Sequence, residues 1–369
     1  MSLAPNLLLI NPGSASTKFG LYHDEEPLLI RNLQHDKAEL AACGPEILSQ
    51  LQLRLRCIDE GLESSGLPLD RIVAVVGRGG LLRPVAGGAY LVNDEMLSEL
   101  RRAERGQHAA NLGAFLAQAI ASRLRVRAFI VDPVSVDEWI KVARLSGCAP
   151  LERPCLSHAL NSRAIARRYA NDVEQSYEDL RLVVAHLGSG HSISAHAAGR
   201  MIDATNSREE GAFSTERSGS VPAVELVRLC FSGRYTQEQV ETMLTREGGL
   251  TSYLGTRDLR EVEQRIAEGD QYAGLVFRAM VYQIAKEIGA MSCVLRGRVD
   301  AILLTGGMAH SQRLTSALQA SVQWIAPVKI YAGEDELRAL AEGVLRVIRH
   351  EEPSREFGQE VPESIIFRV

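Results

Sequence analysis

Leu7-Leu8-Leu9-Ile10-Asn11-Pro12-Gly13-Ser14-Ala15-Ser16-Thr17-Lys18-Phe19-Gly20-Leu21-Tyr22 is the stretch on which the reading of this chain turns. An apolar run enters a small polar turn and leaves as a second apolar run, the pattern of strand, turn and strand. Such a turn can wrap around phosphate oxygens. Gly13 permits backbone angles that other residues avoid, Ser14, Ser16 and Thr17 offer hydroxyl and amide donors, and Lys18 adds a positive charge. An ordinary surface hairpin with a serine-rich turn accounts for the stretch equally well, and it is recurrence that tips the reading.

Four further continuous apolar runs follow, at residues 72–76, 128–131, 182–185 and 301–304. Runs that do not alternate are those of strands buried on both faces. Between them, residues 111–124, residues 275–295 and the stripe Leu337, Leu340, Ala341, Val344, Leu345 and Ile348 carry apolar side chains at helical spacing. Strands alternating with helices predict an α/β fold. Each run also ends in unusual chemistry: Asn11-Pro12-Gly13-Ser14, Gly77-Arg78-Gly79-Gly80, Asp132-Pro133, His186-Leu187-Gly188-Ser189-Gly190 and Thr305-Gly306-Gly307. Ligands of open α/β sheets bind beyond the carboxyl ends of strands, so these five tips are expected to converge on one cleft.

The opening hairpin has an echo in His186-Leu187-Gly188-Ser189-Gly190 followed by Ser192-Ile193-Ser194-Ala195-His196. Two similar halves are implied, each opening with a phosphate-type hairpin. Gly147, Pro150 and Pro154 interrupt the pattern, which places a boundary near residues 148–154. The expected domains are 1–153 and 154–336, with a helix over 337–350 crossing back to the first half. The tail, 351–369, has weak periodicity and reads as poorly ordered.

Composition narrows the function classes. The 369 residues hold 41 Lys+Arg against 46 Asp+Glu, a formal net charge of -5. Bulk electrostatics therefore favour neither nucleic acid nor an anionic membrane, and point to small-molecule partners. Cys43, Cys57, Cys148, Cys155, Cys230 and Cys293 show no zinc or C-x-x-C spacing and read as reduced core thiols. No segment approaches the roughly 18 uninterrupted apolar residues of a membrane span, and the N-terminus lacks a signal-peptide pattern, so a cytoplasmic protein is expected. No P-loop, H-E-x-x-H or EF-hand sequence occurs.

The candidate chemistry lies at the strand tips and in one polar loop. Arg78 among glycines has a guanidinium that can fork onto a carboxylate or phosphate, although a surface arginine on a tight turn fits too. Arg217 lies in a long irregular stretch beginning near Asp203, where Glu216 is its simplest partner. Asp132 is either a cation ligand or the cap of a helix starting near Val134. His158 and His186 are the best-placed histidines, with His108 weaker. Asp335 and Glu336 are either carboxylates at a helix N-terminus or metal ligands. The glycines of Thr305-Gly306-Gly307 would let a flat adenine ring approach the backbone, or form a plain strand-to-helix turn.

Taken in order, these motifs resemble butyrate kinase, a branch of the acetate kinase family within the sugar kinase, heat-shock chaperone and actin superfamily. The matching segments are Asn11-Pro-Gly-Ser-Ala-Ser-Thr-Lys, Val76-Gly-Arg-Gly-Gly-Leu-Leu, His108-Ala-Ala-Asn-Leu-Gly, Val131-Asp-Pro-Val-Ser-Val-Asp-Glu, His158-Ala-Leu-Asn, Ala185-His-Leu-Gly-Ser-Gly, Glu216-Arg-Ser-Gly, Leu304-Thr-Gly-Gly and Gly333-Glu-Asp-Glu-Leu. The resemblance implies two ribonuclease H-like, actin-like ATPase cores around a nucleotide cleft. It implies reversible transfer between ATP and butyrate, giving butyryl phosphate and ADP, with Mg²⁺ and a homo-oligomer of two or more chains.

Position by position, the resemblance makes Asn11 a phosphate and metal-positioning residue, with Ser14, Ser16 and Lys18 around it. It makes Arg78 and Arg217 the pair that brackets the acyl carboxylate and the migrating phosphoryl group, Asp132 a magnesium-holding or orienting acid, and His158 a stabiliser of equatorial oxygens. His186, Gly188, Ser189 and Gly190 match a second phosphate loop, Thr305, Gly306 and Gly307 an adenosine motif, and Glu336 a metal-associated carboxylate. Two departures stand out: the segment from Asp203 to Arg217 is more charged than usual, with Thr215 where proline is common, and His191 replaces a small residue. Both lie near the acyl or phosphate side, which leaves acetate, propionate and branched-chain acids as alternative substrates. An actin-like ATP-binding scaffold is the competing class.

Overall fold

The computed structural model describes residues 5–358. The strands are β1 (Asn6–Pro12), β2 (Ser16–His23), β3 (Glu26–Gln34), β4 (Ile72–Arg78), β5 (Ala89–Leu91), β6 (Arg127–Val131), β7 (Leu182–Leu187), β8 (His191–Ala197), β9 (Arg200–Ala204), β10 (Ala301–Gly306), β11 (Val328–Ala332) and β12 (Arg355–Glu356). They form a seven-stranded sheet, β12-β5-β6-β4-β1-β2-β3, and a five-stranded sheet, β11-β10-β7-β8-β9. All five apolar runs are strands of these sheets.

The echo heard in the sequence is a repeat of topology. In each sheet an antiparallel meander of three strands (β1-β2-β3, β7-β8-β9) is followed by strands laid parallel to its first member: β4 and then β6 in one, β10 and then β11 in the other. The order 3-2-1-4-5 therefore occurs twice, with β5 and β12 extending the first sheet.

The first compact unit takes in residues up to 137 and those from 335 onward. In β1 Leu8 and Ile10 join Val75 of β4 under helix Asn111–Leu124, where Leu112, Leu116, Ala117 and Ile120 close a core. Leu7, Leu9 and Val131 belong to the opposite face by the two-residue period. That face is met by helix Glu336–Ile348, whose Leu337, Leu340, Ala341, Val344 and Leu345 are wholly buried. Each such leucine contributes about 1.5–3 kcal/mol relative to exposure. Glycine sets the layer spacing: a Cβ on Gly77 of β4 would overlap the backbone of Gly113, and one on Gly113 would overlap the carbonyl of Arg78.

The second unit is Glu138–Glu334. Its two central strands divide their side chains cleanly. Val183, Ala185, Leu187, Ile302 and Leu304 pack with helices Gln271–Val294 and Gln312–Val322, while Leu182, Val184, Ala301 and Leu303 pack with helix Ala159–Asp172. Strands buried on both faces are why these runs read as continuous rather than alternating.

Several expectations need correction. The chain changes unit at Asp137–Glu138, not near residue 153, because Glu138 accepts from Arg163 (2.6 Å) and from the Met201 N–H (3.1 Å), and Ile140 N–H donates to Ile202 (3.0 Å). Asp335 and Glu336 likewise belong to the first unit. No helix starts near Val134. Gly13 has no positive φ; its lack of a side chain instead lets Ser16 Oγ approach to 3.1 Å of the Cβ position. All six cysteines are free, yet only Cys155 is buried. Of the tail, Arg355–Glu356 pairs with β5 and Phe357 is buried among Leu82, Tyr90 and Met96, so this part is packed; residues 359–369 lie outside the described residues.

Candidate active site

In the first unit the carboxyl ends of the parallel strands β1, β4 and β6 carry Asn11, Arg78 and Asp132 side by side, as the register Asn6↔Ile72 through Ile10↔Gly77 and Arg78↔Val131 requires. Helix Glu336–Ile348 delivers a carboxylate to the same tips. Asn11 Nδ2 donates to Glu336 Oε2, and Arg78 Nη1 donates to Glu336 Oε1 and, at 3.3 Å, to Asn11 Oδ1. Asn11 is buried, whereas the Arg78 and Glu336 side chains are 22% and 19% exposed, which leaves the ion pair within reach of a ligand. Asp335, the N-cap, accepts from Arg338 N–H at 3.2 Å, so of the two acids one caps the helix and the other enters the cluster.

Asp132 is 4% exposed and sits at φ +36°, a left-handed conformation costly for a non-glycine residue. Its carboxylate accepts from Gly88 N–H at 2.7 Å, and its own N–H donates back to Gly88 at 3.0 Å. Those bonds explain why it cannot cap a helix: its side chain is turned toward the loop before β5.

The opening turn is built from below. Gly13 N–H donates to the Ser16 carbonyl at 2.8 Å, Ser14 is exposed, and Lys18 stands opposite Asn11 in the ladder. Arg54, wholly buried on helix Leu51–Glu63, donates to the carbonyls of Ser14 (3.2 Å) and Ser16 (2.8 Å) and to Thr17 Oγ1 (2.9 Å). Sequence reasoning missed this residue. Its signal was a charged side chain at helical spacing with Ile58 and Leu62, in the middle of a buried stripe.

In the second unit His158, capping helix Ala159–Asp172, stacks on His186 of β7 with ring centroids 3.8 Å apart and planes 8° from parallel. His158 Nδ1 bonds Ser192 Oγ at 3.0 Å, and His186 Nε2 lies 3.2 Å from Glu334 Oε1. Among the described residues His186 Nδ1 and both ring nitrogens of His191 are buried with no hydrogen-bond partner. Burial, with His186 and Arg217 nearby, pushes His191 down to about 3, so its ring is neutral at pH 7.

Arg217 is folded against the second loop: a Cβ on Gly190 would overlap its guanidinium. Its Nη1 donates to the Ser207 carbonyl at 2.7 Å, and burial lowers its pKa from the ordinary arginine value while leaving it a cation at pH 7. Ser214 ties the two loops, donating from Oγ to the Ser189 carbonyl and accepting from Arg217 N–H at 3.1 Å. Glu216 reaches Arg257 at 3.7 Å. Gly306, at φ +90°, is dictated by packing, since a Cβ would overlap the Leu187 backbone; Gly307 has open space around it. Thr305 Oγ1 donates within 3.2 Å of Asn161 Oδ1 and the Gly333 carbonyl.

Thus the structure brings Asn11, Arg78 and Glu336 into one cluster, and His158, His186, Gly188, Ser189, Gly190 and Arg217 around the second hairpin. Each set lies within one unit. The oxygen donors Glu336, Asn11 and Asp132 suit a hard cation that keeps several waters and binds largely through substrate phosphates. No group of three or more His, Cys, Asp or Glu suited to a metal occurs among the described residues. Among the described residues no helix is long and apolar enough to cross a membrane.

Comparison with known proteins gives a match to the acetokinase family over residues 156–343. Solved structures with similar folds include acetate kinase from Porphyromonas gingivalis (TM-score 0.75, 18% identity, 93% of this chain and 99% of that one). A propionate kinase from Francisella tularensis subsp. tularensis has TM-score 0.70 at 19% identity, over 92% of this chain and 98% of that one. Acetate kinase from Entamoeba histolytica has TM-score 0.71 at 16% identity, with the same coverages of 92% and 98%.

Proposed function

Because the chain belongs to the acetokinase family, we propose that it is a short-chain carboxylate kinase that interconverts ATP and butyrate with ADP and butyryl phosphate. The observation that carries this reading is the Asn11–Arg78–Glu336 cluster at the carboxyl ends of β1 and β4. Such strand tips are where an open α/β sheet binds its ligand; an asparagine amide and an accessible arginine can donate to phosphoryl oxygens, and a carboxylate beside them would face a phosphate through a bound cation.

In the proposed reaction a carboxylate oxygen of the acid attacks the γ-phosphorus. The new C–O–P linkage forms as the bond from phosphorus to the bridging oxygen of ADP breaks, and that oxygen keeps the electron pair. No proton need move, since the carboxylate is already ionised at pH 7. The work left to the chain is positioning and neutralising charge spread over the equatorial oxygens. We assign that work to Arg78, Arg217 and His158. Asn11, Ser14, Ser16 and Lys18 hold one phosphate; His186, Gly188, Ser189 and Gly190 hold another; Thr305, Gly306 and Gly307 line the adenosine. Mg²⁺, when bound, would neutralise phosphate charge; Glu336, Asn11 and Asp132 are the residues that would hold it.

Butyrate is chosen over shorter acids on the order and spelling of the motifs. His191 and the charged stretch up to Arg217 are where chain length is read in this proposal. We also propose a cytoplasmic homo-oligomer. Helix Ala223–Cys230 supports the association alone: none of its residues is buried, and Val224, Val227 and the adjoining Phe231 are 64%, 55% and 87% exposed. Acid-dependent ADP formation with acetate, propionate, butyrate and isobutyrate tests the function. Highest kcat/KM with butyrate is expected; no turnover with any acid refutes the kinase reading, and a maximum with another acid refutes the butyrate assignment.

A further inference from the structure

Arg54 is wholly buried, and among the described residues every one of its polar contacts is neutral. Nε and Nη2 donate to Gln50 Oε1 at 3.2 and 2.8 Å, Nη1 to the Ser16 carbonyl and Thr17 Oγ1 at 2.8 and 2.9 Å, and Nη2 to the Ser14 carbonyl at 3.2 Å. Thr17 Oγ1 is shared with His35 Nε2 at 2.8 Å, which completes a buried layer under the turn. A guanidinium taken out of water without a carboxylate is expensive, and a neutral side chain of similar length could bridge the same carbonyls at less cost. A fold retains such a charge most readily where an anion arrives.

The direction of the contacts says where that anion lies. Drawing the Ser14 carbonyl inward turns the N–H of Ala15 outward, because the two lie on opposite edges of one trans peptide. The same fork thus sets the backbone of the turn and leaves an unpaired positive charge one peptide layer beneath it. Low-dielectric surroundings extend the reach of that charge.

We propose that Arg54 is a positioning residue: it fixes the Ser14–Thr17 turn and supplies, from beneath, the positive potential by which the turn holds the phosphoryl group of ATP or of the acyl phosphate. The proposal rests on the carboxylate kinase reading. It separates Arg54 from a merely structural cation, because its effect falls on phosphate-bearing substrates and spares the free acid.

The test compares wild type with Arg54→Gln, which loses the charge, and Arg54→Lys, which keeps the charge but not the fork. KM is measured for ATP, butyryl phosphate and butyrate on variants whose circular dichroism matches wild type. Arg54→Gln is expected to raise KM about tenfold for ATP and butyryl phosphate and less than twofold for butyrate, with Arg54→Lys about threefold on the first two. Should Arg54→Gln fail to fold, Arg54→Lys decides by the same pattern. Unchanged KM for both phosphate-bearing substrates, or an equal rise for all three substrates, overturns the proposal. Wild type without acid-dependent turnover refutes the kinase reading itself, and the inference falls with it.

Discussion

Acid should destabilise the second unit through two histidines of β8, and the size of the effect can be worked out. His196 is wholly buried, and its tautomer follows from its neighbours. Ser194 Oγ lies 3.3 Å from the Val184 carbonyl and spends its one proton there, so it accepts from His196 Nε2–H at 2.8 Å. His196 Nδ1 then accepts from Tyr177 O–H at 2.6 Å. Burial and the nearby Arg163 push this ring down to about 3, as burial does for His191, whereas an unfolded imidazole titrates near 6.5. Below pH 6.5 the unfolded chain therefore binds more protons than the folded one, and stability falls with pH down to about 3. Between pH 7 and pH 5 each ring accounts for about 2 kcal/mol, at 1.36 kcal/mol per unit of pKa difference expressed over the window.

The perturbation is His196→Gln, which removes one titrating ring. At pH 7 the variant should be less stable by about 1–3 kcal/mol, the cost of disturbing buried hydrogen bonds. On moving to pH 5 that deficit should shrink by about 2 kcal/mol, because only wild type still pays for keeping His196 neutral. Urea unfolding followed by tryptophan fluorescence is the assay. Trp139 and Trp324 are the chain's two tryptophans, both lie in the second unit, and Trp139 is buried, so the signal reports that unit alone. A difference between wild type and variant that is the same at both pH values refutes the reasoning.

Arg217→Ala should lower kcat for acid phosphorylation about 10²–10³-fold, the usual loss when one donor to a developing oxyanion is removed, with a thermal midpoint within a few degrees of wild type; retained turnover would refute its catalytic assignment and favour a scaffold. Phe357→Ala should cost about 3–5 kcal/mol in unfolding free energy, since the ring fills a core with Leu82, Tyr90 and Met96 and stacks under the Arg83 guanidinium 4.3 Å from its centroid. A loss below 1 kcal/mol would show that the segment after Pro353 is not part of the fold.

What the sequence made legible was whatever depends on local pattern. Continuous runs such as Leu182 to Ala185 read as strands covered on both faces, and the repeated hairpin pointed to two similar halves. That Asn11, Arg78 and Asp132 stand near one another was legible because a parallel sheet sends its strand tips to one edge. What escaped depends on partners distant in sequence. Arg54 reads as one more charge on a helix until the Ser14–Thr17 turn lands on it. Gly77 reads as part of a turn, although it is the strand residue against which Gly113 packs. Asp132 before proline looks like a cap, yet the partner that fixes it is Gly88, on a loop of little pattern. The segment up to Phe357 looked loose because a two-residue strand and one aromatic ring carry no periodicity.

The central claim is that this chain makes an acyl phosphate. Incubating the protein with ATP, Mg²⁺, butyrate and hydroxylamine, which traps acyl phosphates as hydroxamates, tests that claim most directly. Butyryl hydroxamate should accumulate with ADP in a one-to-one ratio and only when all components are present. ADP release without hydroxamate, or no reaction at all, would contradict the account.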